Sequence, residues 1–551
     1  MPVPHGDIID DYHAIQIKSE RETTQHLTKD YKKFGLKSDS FYRKLGVDEY
    51  CVRALDLERS GLILGSLVEN LKVLSALGFE STQVLTCRDE TPYQLVKDIL
   101  DCNSAKLRTR IWRLNLIAII SAITFFSAKI LSFLARTILF ANVKKANQVT
   151  TGHIAVEFVD PSCSSGRATE PNFLSQIGID GDKLVAYVRS SQAARNGPKK
   201  NFVLPQPIPI VFLDELPLSA HCLKIFLLSG MSLLGNVIHN RCSFRRFVFD
   251  LRDLINWAEF TSFLGIYRPS VHVYNTIPNG KANTRVDSGI YTGACRNAKC
   301  LSLSYQSRLQ YRHKLYYYFK VFDKFYYWGS AWGKTYSYPQ FIRDSVYLGY
   351  LGENLDYQIC RTSENPTNQI TVFLSDIDTE HPLHYTLNYT IKFLTQVFEA
   401  VSNFNKNSMK KFTILLKPKD PGHWKMLLDS GLLADSLDDK YLDVIPRLDA
   451  RHSITDSLVT ADKVISIGFT TPGIDALAMG IPSIYFTPYK GIYNDIFDDP
   501  ESPIVATDSH TLIRFLNGDL HIDEDFRCSI IGEEPARSRQ LLKHELKEMI
   551  S

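Results

Sequence analysis

Net charge and clustered cysteine are what this chain has least of. Its 551 residues carry 63 Lys and Arg against 60 Asp and Glu, a formal balance of +3. A dedicated nucleic-acid binder normally has a much larger basic excess, so no nucleic-acid partner is expected. The ten cysteines fall at 51, 87, 102, 163, 222, 242, 295, 300, 360 and 528 with no CxxC pair. Scattered thiols of this kind fit a reducing compartment and argue against a structural zinc site, so the expected metal is none. There is no G-x-x-x-x-G-K-S/T loop and no GxSxG elbow, which speaks against an ATP-type P-loop and an α/β-hydrolase. The polar start, MPVPHGDIIDDYHAIQIKSE, has neither the charge nor the apolar run of a targeting peptide, so the expected localisation is cytoplasmic. A mean hydropathy of -0.13 excludes a polytopic membrane protein.

One further scarcity is local. No Asp or Glu occurs between Asp101 and Glu157. Lys106, Arg108, Arg110 and Arg113 precede fifteen uncharged residues, Leu114–Ala128; Lys129 and Arg136 interrupt the continuing apolar run, and Lys144 and Lys145 close it. A membrane span wants ~20 apolar residues with few or no charges. Three readings of the basic, apolar helix over 106–141 stay open: a buried helix of an α/β domain, an interfacial helix on anionic lipid with its Lys and Arg snorkelling, and a span.

What the sequence does contain is the composition of a globular protein, 44% hydrophobic and 22% charged. At ~100–200 residues per domain the length implies two or three domains. Strand-like and helix-like segments alternate from Tyr50 onward: strands at 50–55, 82–86, 153–159, 183–188, 271–274 and 301–305, with an amphipathic helix at 62–78 after the first. The rhythm returns with strands at 370–374, 412–416, 444–446, 463–467 and 483–486, and helices over about 383–404 and 453–460. Such alternation implies parallel sheets. The expected fold class is α/β, two Rossmann-like parallel-sheet domains with a ligand cleft at the strands' carboxyl ends. The expected divisions are 1–48 as an extension, 49–345 and 346–528 as the domains, and 529–551 as a terminal helix.

The most informative segment is GFTTPGIDALAMGIP, 468–482. A strand delivers Gly468 and the hydroxyls of Thr470 and Thr471 to the start of a helix, with Pro472 near its first turn. Free N–H groups and the positive helix end suit a phosphate there. Gly473 lies in the same turn, and Asp475, one turn after Thr471, could accept from ribose hydroxyls. An ordinary helix capped by Thr471 explains the same residues. Lys417 and Lys419 end another strand of the same half, as phosphate neutralisers or as plain surface residues. In the first half, strand ends and the loop DPSCSSGRATEP offer Glu157, Asp160, Arg167, His272 and Asp287. Asp160 before Pro161 also suits a turn, His272 within VHVY a core histidine, and Asp287 a helix cap.

The order of segments carries a resemblance over most of residues 50–500: ERSGLILGSL, HIAVEFVDPSCSSGRATEPNF, LSYQSR, WGSAWGK, LGYLGEN, ITVFLSDID, ILLKPKD and SIGFTTPGIDALAMGIPSIYF. It resembles bacterial surface-carbohydrate (polysaccharide) biosynthesis proteins, glycosyltransferases of GT-B architecture. KPKDP and GFTTPGIDAL are similar to two elements of CDP-glycerol glycerophosphotransferases and bacterial sialyltransferases, a His-Pro element and a Ser/Thr-rich element that hold a cytidine nucleotide's phosphates. Lys417-Pro418-Lys419 stands where those families carry His-Pro, and Asp475 where many carry Glu.

The resemblance implies a metal-independent transferase that moves a sugar from a nucleotide-activated donor, CMP- or CDP-linked among the options. The acceptor is a surface polysaccharide or lipid-linked glycan at the inner face of the plasma membrane. No cofactor is expected. Donor binding falls to Lys417, Lys419, Gly468, Thr470, Thr471, Gly473 and Asp475. Asp160 or Glu157 is the base, with Arg167 and His272 on the acceptor. A non-hydrolysing sugar-nucleotide epimerase and a non-catalytic assembly partner are the alternatives.

Overall fold

A computed structural model of the chain describes residue 45 and residues 116–140, 154–158, 171–189, 208–238, 244–274, 288–306, 321–332, 342–352, 368–375, 387–419, 421–429, 431, 454–468, 470–488 and 502–551. The segments expected at 50–55, 62–78, 82–86 and 444–446 lie outside the described residues, as do Asp160, Arg167 and Asp287.

In chain order the first part runs α1 (Leu116–Phe140), β1 (Ile154–Glu157), α2 (Pro171–Gln176), β2 (Leu184–Val188), β3 (Ile210–Phe212), α3 (Ala220–Ile238), α4 (Phe244–Tyr267), β4 (Val271–Val273), α5 (Ser288–Asn297), β5 (Leu301–Tyr305), β6 (Phe322–Tyr327) and β7 (Ile342–Tyr347). The second runs β8 (Gln369–Phe373), α6 (Leu387–Asn407), β9 (Thr413–Lys417), α7 (Pro421–Asp429), α8 (Ile454–Val459), β10 (Lys463–Ile467), α9 (Thr471–Ala478), β11 (Ser483–Phe486) and β12 (Val505–Ala506). Three helices end the chain: α10 (Ser509–Asn517), α11 (Glu524–Ile531) and α12 (Pro535–Ile550).

The strands form two sheets, β3-β2-β1-β4-β5-β6-β7 and β12-β11-β10-β8-β9. Every pairing is parallel. The reason lies in the residues. IAVE and LVAYV in the first sheet and SIYF in the second are buried along their whole length. Apolar runs of this kind need helices on both faces, which is the setting of parallel sheets. The two-domain α/β expectation of GT-B type is met in these sheets. Strand order reverses between β1 and β4 in one sheet and between β8 and β10 in the other. Ligands of open α/β sheets bind beside such reversals, at the carboxyl ends of the strands.

The C-terminal helices return to the first sheet. Leu542 and Leu546 of α12 are buried in a cluster with Val156, Val273, Leu303 and Tyr326. Glu545 takes an ion pair from Lys324 at 2.5 Å and a hydrogen bond from the Tyr326 hydroxyl at 3.1 Å, both on β6. Arg539 donates to the carbonyls of Leu351 and Gly352 at 2.8 and 2.9 Å. Trp332 donates its indole N–H to the Ile530 carbonyl at 2.7 Å. The last helix is thus part of the first sheet's core. Leu542→Ala should cost about 2–5 kcal/mol, read as a lowered urea midpoint by a probe on the first sheet. A first-sheet transition that does not move would remove α12 from that core.

Candidate functional site

The second sheet's reversal point is where β10 hands the chain to α9. Gly468 follows β10 with φ +51°, a left-handed backbone that favours glycine. Thr470 then stands at the N-cap of α9 with extended backbone (φ -110°, ψ 147°) and makes no side-chain capping bond. The cap is therefore Thr470 rather than Thr471, and Pro472 sits in the first turn. The Thr470 Oγ1 is buried and has no hydrogen-bond partner among the described residues. Its carbonyl, in contrast, is held by the Tyr485 hydroxyl of β11 at 3.0 Å. Gly473 is required beneath that contact, because a Cβ there would lie 2.5 Å from the Tyr485 ring. The result is a positioned helix N-terminus with an uncommitted hydroxyl, suited to an anionic oxygen.

Lys417 closes β9, beside β8 and two strands from β10. At strand spacings of ~4.8 Å that is about 10 Å across the same sheet edge. Lys417 and Pro418 are buried, while Lys419 is exposed. The strand ends thus bring Lys417, Gly468, Thr470, Thr471 and Gly473 to one edge.

Asp475 does not join them. Instead of facing a ligand it is fully buried and accepts from the Tyr350 hydroxyl. Tyr350 lies three residues past β7 of the first sheet, its backbone N–H donates to the Ile531 carbonyl at 2.6 Å, and its ring packs edge-on to Trp328. A buried carboxylate must be partnered, and here the partner comes from the other sheet's carboxyl end. The two carboxyl edges are therefore joined close to the start of α9.

Glu157 and His272 are also reassigned. Glu157, the last residue of β1, is buried and takes both Nε (2.6 Å) and Nη2 (3.2 Å) of Arg189. Both carboxylate oxygens are used, and removing one partner of such a buried pair strands the other charge. It is a structural anion rather than a base facing an acceptor. His272 is fully buried, with Nε2 at 2.8 Å from the Tyr187 hydroxyl and rings of Phe260, Tyr274 and Tyr291 around it. Burial first, and the Arg189 charge second, push its pKa down to about 3. It cannot reach an acceptor. Arg189 itself lies 4.3 Å from the Tyr291 ring centroid. Sequence reasoning misses Arg189, Tyr350 and Tyr485: each acts through a partner distant in the chain, and only Gly473 hints at a close neighbour.

This geometry is open to two measurements. Tyr350→Phe and Asp475→Asn should each destabilise, and the double variant should lose less than their sum, with a coupling of ~0.5–3 kcal/mol. Additive losses in a denaturant-derived double-mutant cycle would refute the bond. His272 stays neutral in the fold to about pH 3, whereas in the unfolded chain it takes up a proton near ~6.5. Its contribution is complete above that value and is lost as pH falls towards 3, at up to ~1.4 kcal/mol per pH unit. His272→Gln should flatten the stability-against-pH curve over that window by one proton's slope, seen in urea midpoints at successive pH values.

Residues 302–515 match the family described as polysaccharide biosynthesis PFTS motif protein. No curated protein is matched. Among solved structures the chain is similar to a putative UDP-N-acetylglucosamine 2-epimerase from Listeria monocytogenes, at 10% identity over 72% of this chain and 96% of that one, TM-score 0.39. It is also similar to Acinetobacter baumannii MurG, at 10% identity over 72% and 99%, TM-score 0.36. A third is the wall teichoic acid polymerase TagF, at 10% identity over 80% and 98%, TM-score 0.39. Likenesses this remote add nothing to what the two sheets themselves establish. The family match runs from within β5 into α10 and takes in the whole second sheet, with Lys417 and the start of α9.

Proposed function

We propose that the chain is a glycosyltransferase that moves a sugar from a nucleotide-activated donor to a growing surface polysaccharide or lipid-linked glycan. The observation that carries this reading is the uncapped start of α9, where the buried Thr470 hydroxyl lacks a partner among the described residues at the reversal point of a parallel sheet. The donor's diphosphate sits there, against the positive helix end and the Thr470 and Thr471 hydroxyls, with Lys417 and Lys419 offsetting its charge. As the glycosyl bond breaks, negative charge grows on the departing phosphate, and a fixed helix end stabilises it without reorganising. The family match over the same residues supports the polysaccharide context.

The acceptor belongs at the carboxyl end of the first sheet. Asp160, three residues beyond β1 in sequence, is the base assigned to the acceptor hydroxyl; Arg167, seven residues further on, is assigned to the acceptor. Of the two carboxylates considered for this role, Glu157 is committed to Arg189, which favours Asp160. The reading needs no metal, because the helix end and lysines face the diphosphate. The resemblance of KPKDP and GFTTPGIDAL to cytidine-nucleotide elements makes CMP or CDP the first donors to try.

The test is a thermal-shift panel of CMP, CDP, UDP and GDP on wild type and Thr470→Val. One nucleotide should raise the wild-type midpoint. The valine variant should bind it about tenfold more weakly, ~1.4 kcal/mol, while keeping its own stability, because losing an unpartnered buried hydroxyl costs the fold nothing. Equal binding by the variant would refute the site. No shift with any nucleotide would favour a non-catalytic assembly partner. Epimerised sugar released without an acceptor would favour the epimerase alternative.

A further inference from the structure

We propose that the outer face of α1, with the adjoining helix α3, is a docking surface for anionic phospholipid, which the protein occupies without spanning the bilayer. Residues 120–138 of α1 are long and apolar enough to cross a membrane by length and composition. The helix nevertheless has two unlike faces. A narrow stripe, Ala122, Phe126 and Phe133, is buried. Phe133 meets Phe226 of α3 edge-on with ring centroids 4.7 Å apart. Phe126 lies so close to Gly230 of α3 that any side chain at that position would overlap its ring.

Among the described side chains, most of the large apolar ones outside this stripe are exposed, with Ser121, Thr124 and Ser127 beside them. Ile120, Ile123, Phe125, Leu131, Leu134 and Ile138 all face outward, Leu131 by 67% and Ile138 by 74%. On α3, Leu228 and Met231 are exposed by 59% and 63%. Soluble surfaces rarely gather so many large apolar side chains without a partner.

Charge identifies the occupant. Eight Lys and Arg fall between residues 102 and 145, and no acid occurs between Asp101 and Glu157. An apolar helical face bordered by a basic, acid-free sequence is the complement of an anionic lipid interface. A protein partner would gain nothing from the absence of acids unless it too were acidic and apolar.

The anchoring of α1 decides against a span. Arg136 donates to Glu259 of α4 at 2.8 Å, with both side chains largely buried. Burial pushes the Glu259 carboxyl up and the Arg136 guanidinium opposes that shift. Crossing the bilayer would tear this pair and the Phe126–Phe226–Phe133 packing apart. The helix lies flat against the body and presents only its outer face. Lys129, near its middle, is half-buried, within 6.0 Å of the Phe125 ring centroid, from where its stem can snorkel to the headgroups. The inference stands apart from the donor chemistry, since no residue of α9 or β9 enters it.

The experiment is flotation of the full chain with phosphatidylcholine vesicles, with and without phosphatidylglycerol. Wild type should float with the anionic vesicles, less so at high salt. The Leu131→Asp, Ile138→Asp double variant should lose at least about tenfold in bound fraction while keeping its unfolding midpoint. Met409→Asp, altering a fully exposed apolar residue outside this face, should float as wild type does. Wild-type-like flotation of the double variant would overturn the proposal. So would failure of wild type to float, with loss of self-association in the double variant pointing to a second copy on this face. Retention of the chain in membranes through alkaline carbonate washing would overturn it in favour of a span.

Discussion

A buried hydrogen bond from the Tyr350 hydroxyl to Asp475 joins the carboxyl ends of the two sheets. Asp475 has no access to water, so its carboxylate has to be satisfied by the protein. Tyr350 is itself held from three sides: its N–H by the Ile531 carbonyl, its ring by Trp328, and its neighbour Gly349 by close approach of Gly532. Gly349 has φ +102° and Gly532 has φ +70°, left-handed backbone that a side chain would strain at this crossing. The start of α9 therefore inherits its position from the first sheet and from the returning α11, as well as from β10. A donor bound at α9 would be registered against the first sheet by this chain of contacts.

Buried polar groups divide by whether they are already committed. In the first sheet Glu157 is paired with Arg189 and the Tyr187 hydroxyl with His272 Nε2 inside an aromatic shell, while the His272 Nδ1 has no hydrogen-bond partner among the described residues. Such a network specifies the core and leaves its members little freedom to handle substrate. Asp323 does similar work between β5 and β6, accepting from the Ser302 hydroxyl at 3.0 Å and from Arg296 at 2.7 Å. Thr470 is the contrast. Its carbonyl is bonded and its hydroxyl has no partner among the described residues, so the side chain costs the fold something that a ligand could offset.

The fold is legible in the sequence wherever burial is continuous. KVISI, SIYF and LVAYV read as strands because both of their faces are apolar, and the structure places them at 463–467, 483–486 and 184–188. β6 is hidden, because FDKFYY carries Asp323 and Lys324 within an aromatic stretch. The acid is paired with Arg296 and the lysine with Glu545, partners far along the chain. β7 has the opposite difficulty: IRDSVY is largely exposed and lacks an apolar run. Of the site, the glycine–threonine turn is legible since its chemistry is local. Asp475 is misleading for the same reason. Its spacing from Thr471 is visible in a ten-residue window, whereas the tyrosine that claims it lies 125 residues away.

The helix α1 shows what a sequence average conceals and what packing can decide. Its apolar residues alone fit a core helix, a surface helix or a span equally well, because composition does not say which side chains face inward. The stripe at 122, 126 and 133 repeats at the helical period and is too narrow to bury the rest. That excludes a core helix, while the Arg136–Glu259 pair works against a span. The pair also gives the surface mechanical reach. α4, which carries Glu259, packs Phe260 against Tyr187 and His272 of the first sheet. A lipid surface held on α1 would then lie one helix layer from the sheet assigned to the acceptor. On the proposed reading the division of labour is physical: the soluble donor enters at the second sheet, and the membrane-borne acceptor is presented to the first.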